Sequence, residues 1–251
     1  MSLGIGELLP FGLEKTDTST DSSIHPLGAL ASSPNGDIFA WGLSAEAIAV
    51  GLLVTQEAVP ADQENDMVLG QAAAVGDNSI QLDAGGSTAF VKNEFAGGLL
   101  SVNDQTGIGQ QWRIKANEVA ATSVEAKFTF MPNDSVRVAL VAGTSQLALV
   151  HNPYWNMKIW DQNAIDGIPL GYSAAGVADD TYGWVRTTGL QSALTDGTIV
   201  RGLGVQGSTD DNGAVEGADE DGSTEKPLVG NAVAVAADQE YSIIKVTLGP
   251  A

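Results

Sequence analysis

Across residues 124–130 apolar and polar side chains alternate strictly. Val124, Ala126, Phe128 and Phe130 interleave with Glu125, Lys127 and Thr129. A period of two puts alternate residues on opposite faces of a strand, so the segment predicts a half-buried β-strand. Met131-Pro132-Asn133-Asp134 ends it with turn-forming residues. The same pattern recurs along the chain. Residues 135–141 and 146–150 predict further strands. Tyr182-Gly183-Trp184-Val185-Arg186-Thr187-Thr188 predicts a strand broken at Gly189, with a second strand following it. Asp196-Gly197, between residues 192–195 and 198–201, predicts a hairpin. Residues 232–236 and 241–248, separated by Ala237-Asp238-Gln239-Glu240, predict a closing antiparallel pair. The Gly-rich residues 97–109 suit tight turns or bulges rather than a helix. Residues 44–54 are a short apolar run that fits either a helix or a buried strand. Residues 55–66, acidic and containing Pro60, predict a surface loop. No long amphipathic helix is visible. The expected fold is all-β, an antiparallel sandwich or barrel with long loops and an extended N-terminal arm.

The chain has 251 residues, 43% of them apolar, which is enough for a sizeable core. Three segments are expected: an arm over residues 1–33, a β-rich domain over 34–150 and another over 151–251. The last two could also form one domain, because Asn152-Pro153 marks the boundary weakly. The arm has an apolar start (Leu8, Leu9 and Phe11) and a polar middle over residues 16–23. It would lie across a neighbouring subunit or fray. No run reaches the roughly 18 apolar residues of a membrane span. No basic stretch precedes an apolar one at the N-terminus, so no secretory signal is expected. Cys is absent, which excludes disulfides and thiolate metal sites. The formal net charge of −20 repels both phosphate backbones and anionic membranes, so neither nucleic acid nor membrane is expected as a partner.

Tests for catalytic chemistry come out largely negative. The two histidines, His25 and His151, are far apart in sequence, and no G-x-S-x-G elbow accompanies them. Gly202-Leu203-Gly204-Val205-Gln206-Gly207 matches a dinucleotide fingerprint by letter. The residues after it are acidic and unsuited to the helix that fingerprint must open, so the match reads as chance. Asp219 and Asp221 before Gly222 resemble part of an EF-hand, but Gly217 and Leu228 occupy the two anchoring acid positions. The acidic residues 208–225 therefore predict a long solvated loop. Carboxylate pairs for glycoside hydrolysis abound but cannot be matched from sequence. No catalytic, metal or cofactor residue is expected. Alternation through residues 154–160 would put Trp155, Met157 and Ile159 on one face and Tyr154 and Trp160 on the other. Leu8, Leu9, Phe11, Tyr154 and Trp160 are the expected partner contacts.

Several framework stretches together resemble head structural proteins of tailed bacteriophages, of the capsid decoration or cement type. They are Glu94-Phe95-Ala96-Gly97-Gly98-Leu99-Leu100, Gly107-Ile108-Gly109-Gln110-Gln111-Trp112, His151-Asn152-Pro153-Tyr154 and Tyr182-Gly183-Trp184-Val185. Val229-Gly230-Asn231-Ala232 with Glu240-Tyr241 also fits, so the resemblance spans roughly residues 90–248. It implies a non-enzymatic virion structural protein, made in the host cytoplasm and attached to the capsid exterior. Such a protein would contact the major capsid protein, form a homotrimer and bridge neighbouring capsid subunits. The alternative is a tail or fibre protein for host adsorption through glycans, which shares strands and Gly-rich turns. Repeats and fibrous segments would mark that role, and none is visible.

Overall fold

The computed structural model describes residues 8–84, 86, 88–163, 167–218 and 226–250. Strands β1 (Leu30–Ser32), β2 (Ile38–Leu43) and β3 (Leu53–Thr55) come first, then one helical turn, α1 (Ala61–Glu64). There follow β4 (Met67–Val68), β5 (Ser79–Asp83), β6 (Leu99–Asp104), β7 (Gln111–Asn117), β8 (Glu125–Phe130) and β9 (Gln146–Val150). The chain ends with β10 (Lys158–Ile159), β11 (Pro169–Ser173), β12 (Tyr182–Leu194), β13 (Gly204–Gly207), β14 (Val215–Gly217), β15 (Leu228–Ala232) and β16 (Tyr241–Thr247). The expected all-β class is observed, as antiparallel sheets that form a half-barrel and a nearly closed barrel.

Two compact units divide the chain differently from the linear expectation. One joins the chain up to Glu57 with the chain from Pro153 onward, and the other is Ala58–Asn152. The break after Asn152 coincides with the expected boundary. Residues 34–57, however, fold with the C-terminal half. The cause is long-range pairing: β2 pairs with β12, and β3 pairs with β10 and β11. Such pairings leave no local signature.

The Ala58–Asn152 unit is a six-stranded sheet in the order β4-β9-β6-β7-β8-β5. In β8, Ala126, Phe128 and Phe130 point inward, as the alternation requires. Phe90, Phe95 and Phe128 meet edge-on or tilted at 5.0–5.9 Å, a geometry favoured by the ring quadrupole. Trp112 stacks on Phe130 at 4.8 Å. Several local expectations fail here. Residues 55–66 include α1, and buried Gln63 donates from Nε2 to the carbonyls of Ala84 and Thr88, both at 3.3 Å. Residues 135–141 form no strand; Leu140 bridges to Ala73, and Val136 and Leu140 pack into the core under the sheet. Residues 97–109 do turn at Gly107 and Gly109, but they also contain β6.

The other unit is a ten-stranded sheet built on β12. β12 runs through Gly189 instead of ending there. Arg186 pairs with both Phe39 and Tyr172, and Thr188 with both Ile38 and Thr247. Beyond Thr188 the strand continues with β16 alone. β16 lies along one edge of residues 192–194, and on the other edge Leu194 donates its N–H to Gly51 O (3.2 Å), so the hairpin expected at Asp196-Gly197 does not form. The turn itself is present, with Gly197 at φ 65°, and Ile199 bridges to Ala236. The closing pair is β15 with β16, but of the residues 232–236 expected as its first strand only Ala232 lies in β15, and Ala236 bridges to Ile199 instead. Residues 44–52 form neither helix nor strand, only bridges at Ser44 and Ile48. Residues 208–218 include β14, so they are not wholly loop. The Asp219 and Asp221 reading lies outside the described residues.

Candidate interaction surface

The described part of the arm is docked on its own unit. Leu9 donates its N–H to Ser32 O (2.8 Å), and its side chain is 4% exposed among Ala31, Phe39, Trp41 and Trp184. Farther along, Ser19 and Tyr182 exchange both backbone hydrogen bonds, at 3.1 and 2.7 Å. The polar middle then acts as a clamp. Asp17 accepts a hydrogen bond from Trp184 Nε1 (2.9 Å) and lies 3.5 Å from His25 Nε2. The His25 ring packs against Trp41 and Trp184, with centroids 4.9 and 5.1 Å away. Asp17 and Trp184 are 167 residues apart, so nothing in the sequence could pair them.

This clamp leaves an apolar edge outside. Leu8 is 63% and Phe11 67% exposed, with Leu13 and Ile24 also open to solvent. Of the expected partner contacts, then, Leu8 and Phe11 are available and Leu9 is an anchor.

Tyr154 and Trp160 are not available: they are 2% and 1% exposed. Both belong to the core, which corrects the expected outward face. The reason is local. Asn156 has φ 50°, a left-handed residue that breaks the strand alternation, so Tyr154, Met157 and Trp160 all turn inward. Trp160 donates its Nε1–H to Ser208 O (3.0 Å). A Cβ at Gly207 would come within 2.4 Å of its ring. The last glycine of the 202–207 match thus makes room for a tryptophan. Residues 204–207 are strand β13 and open no helix, so the phosphate-cradling geometry is not formed.

Two further polar clusters among the described residues are internal. His151, 2% exposed, lies 3.5 Å from buried Glu94 and stacks on Phe95 at 4.4 Å, sealed from any substrate. Arg186 and Asp37 form an ion pair at 3.1 Å, and the guanidinium lies over Phe39 at 4.8 Å. Burial lowers the Arg186 pKa, against the opposing pull of Asp37 and Glu14. Burial raises that of the Tyr172 hydroxyl. Asp196, Asp211 and Asp238 bring carboxylate oxygens within 4.8 Å of one another. They take hydrogen bonds from Ser208 Oγ, Gln239 Nε2 and Gly197 N respectively. Among the described residues they are the carboxylates close enough together to share a cation, and one hydrogen bond each leaves further lone pairs open. No family model, curated protein or solved structure matches the chain.

Proposed function

We propose that the chain is a virion structural protein that binds the outside of a tailed-phage capsid and braces it by bridging neighbouring capsid subunits. The observation that carries this reading is the arm, which is pinned through Leu9, Asp17 and Ser19 yet presents Leu8 and Phe11 to solvent. A pinned apolar edge loses little conformational entropy on docking, so more of its burial becomes affinity. The charge of −20 supports the same reading, because it favours a position away from packaged DNA. A protein that binds only the assembled shell stabilises it by mass action. Self-association as a trimer would let individually weak contacts act together. Function on this reading is adhesion to the major capsid protein, with no substrate turned over.

The test is cosedimentation of the Leu8→Ser/Phe11→Ser variant with undecorated tailed-phage shells. Both side chains are exposed, so the fold should be kept while shell occupancy falls at least about tenfold. Occupancy equal to wild type removes the arm's role. A wild-type chain that binds no shell at all removes the proposal.

A further inference from the structure

On the Ala58–Asn152 unit, β6, β7 and the loop after β8 border a hollow of about 780 Å³. Its walls include Arg113 and Arg137, the exposed apolar residues Ile108 and Val138, partly buried Leu99, and one acid, Asp134. The site is held in shape from below. Trp112 forms the floor, stacked on Phe130, with its Nε1–H donated to Ser135 O (2.9 Å). Gln110 Oε1 accepts the backbone N–H groups of Arg137 (2.8 Å) and Val138 (2.9 Å), which fixes the loop that carries Arg137. Arg113 donates from Nη1 to Gly97 O (3.1 Å), which orients its guanidinium.

Acids outnumber bases 31 to 11, so a carboxylate is the commonest charged neighbour a guanidinium can meet. Neither Arg113 nor Arg137 is in an ion pair among the described residues, as is true of most of the chain's bases, so both are open to a carboxylate from outside. Two orientable guanidiniums beside apolar walls suit a carboxylate carried on a polypeptide, since arginine pairs with carboxylates through two parallel hydrogen bonds. A sugar ring would need an open aromatic face, and Trp112 is closed. The chain itself offers the complement: 21 of its 31 acids but only 6 of its 11 bases lie outside residues 58–152.

We propose that this hollow is a carboxylate-binding site that docks an acidic surface segment from the other unit of a second copy, so that copies join head to tail. A head-to-tail contact closes into a ring when its rotation allows, which is how three copies would form a trimer. The inference rests on the self-associating brace proposed above.

The test is sedimentation velocity of the full chain in NaCl from about 50 mM to about 1 M, a range that shortens the screening length severalfold. Wild type should associate at low salt and dissociate as salt rises. Arg113→Ser/Arg137→Ser should raise the dissociation constant at least about tenfold. Arg113→Lys/Arg137→Lys should keep part of the affinity, and both variants should melt like wild type. A wild-type chain that stays monomeric across the series overturns the inference, and so does a serine variant that associates as wild type does. Shell cosedimentation is read separately. Shell binding without self-association sinks the docking site and spares the brace; self-association without shell binding does the reverse.

Discussion

Gly189→Ala is expected to be among the most damaging single-methyl additions in this protein. Gly189 has φ 117°, a conformation that L side chains rarely adopt. Holding alanine there costs about 1–3 kcal/mol. The new Cβ would also sit 2.0 Å from Asp37 Oδ1 and 2.6 Å from its Cγ, so the carboxylate must move. Asp37 is the partner of Arg186, and the two side chains are only 11% and 12% exposed. Breaking a fully buried pair costs about 3–5 kcal/mol, and the residual exposure here reduces that to about 1–3 kcal/mol. The total is about 4 kcal/mol, or about 8–16 °C in the melting transition of the Arg186-containing unit. Differential scanning calorimetry measures it. Gly197→Ala is the control, because it has φ 65° and nothing within 4 Å of the added atom, so only backbone strain remains. In an Asp37→Ala background the Gly189→Ala cost should shrink by at least about 1 kcal/mol, since the carboxylate is gone and only the Cβ contact at 2.9 Å remains. The reasoning fails if Gly189→Ala melts no lower than Gly197→Ala, or if its cost is the same with and without Asp37.

Other perturbations probe the clamp and the core. Asp17→Ala strands a buried indole N–H at a local cost of about 1–3 kcal/mol, and limited proteolysis should cut the arm faster; Trp184→Phe should cost at least as much, because it leaves the Asp17 carboxylate without its indole donor and opens a gap around a side chain that is 1% exposed. Trp160→Ala should destabilise by about 3–5 kcal/mol in a denaturant titration, whereas an outward residue would cost almost nothing. Hydrogen bonds from the Ser23 side chain and backbone hold the exposed Asp21 carboxyl below its ordinary value of 3.8. The small stabilisation it adds is therefore present above the ordinary carboxylate range and lost as pH falls through the lowered value. Asp21→Asn should remove that part of the acid dependence of arm cleavage.

What the sequence determined by itself was the class of fold and the strands whose two faces differ. In β8, alternation of residue type is also alternation of burial, because one face meets the core and the other meets water. Turn chemistry was equally legible where a glycine or asparagine had to be left-handed, as at Gly197 and Asn133. Tertiary structure alone decided which strands became neighbours. Residues 192–194 had a good local partner across Asp196-Gly197, yet β16 took one edge and Gly51 bonded Leu194 on the other, so the hairpin was lost to partners far away in sequence. Only the folded chain could show that one left-handed residue, Asn156, turns Tyr154 and Trp160 into core, or that Asp17 and His25 meet Trp184. Burial and ion pairing depend on distances through space, and a linear pattern records them only where the backbone repeats regularly.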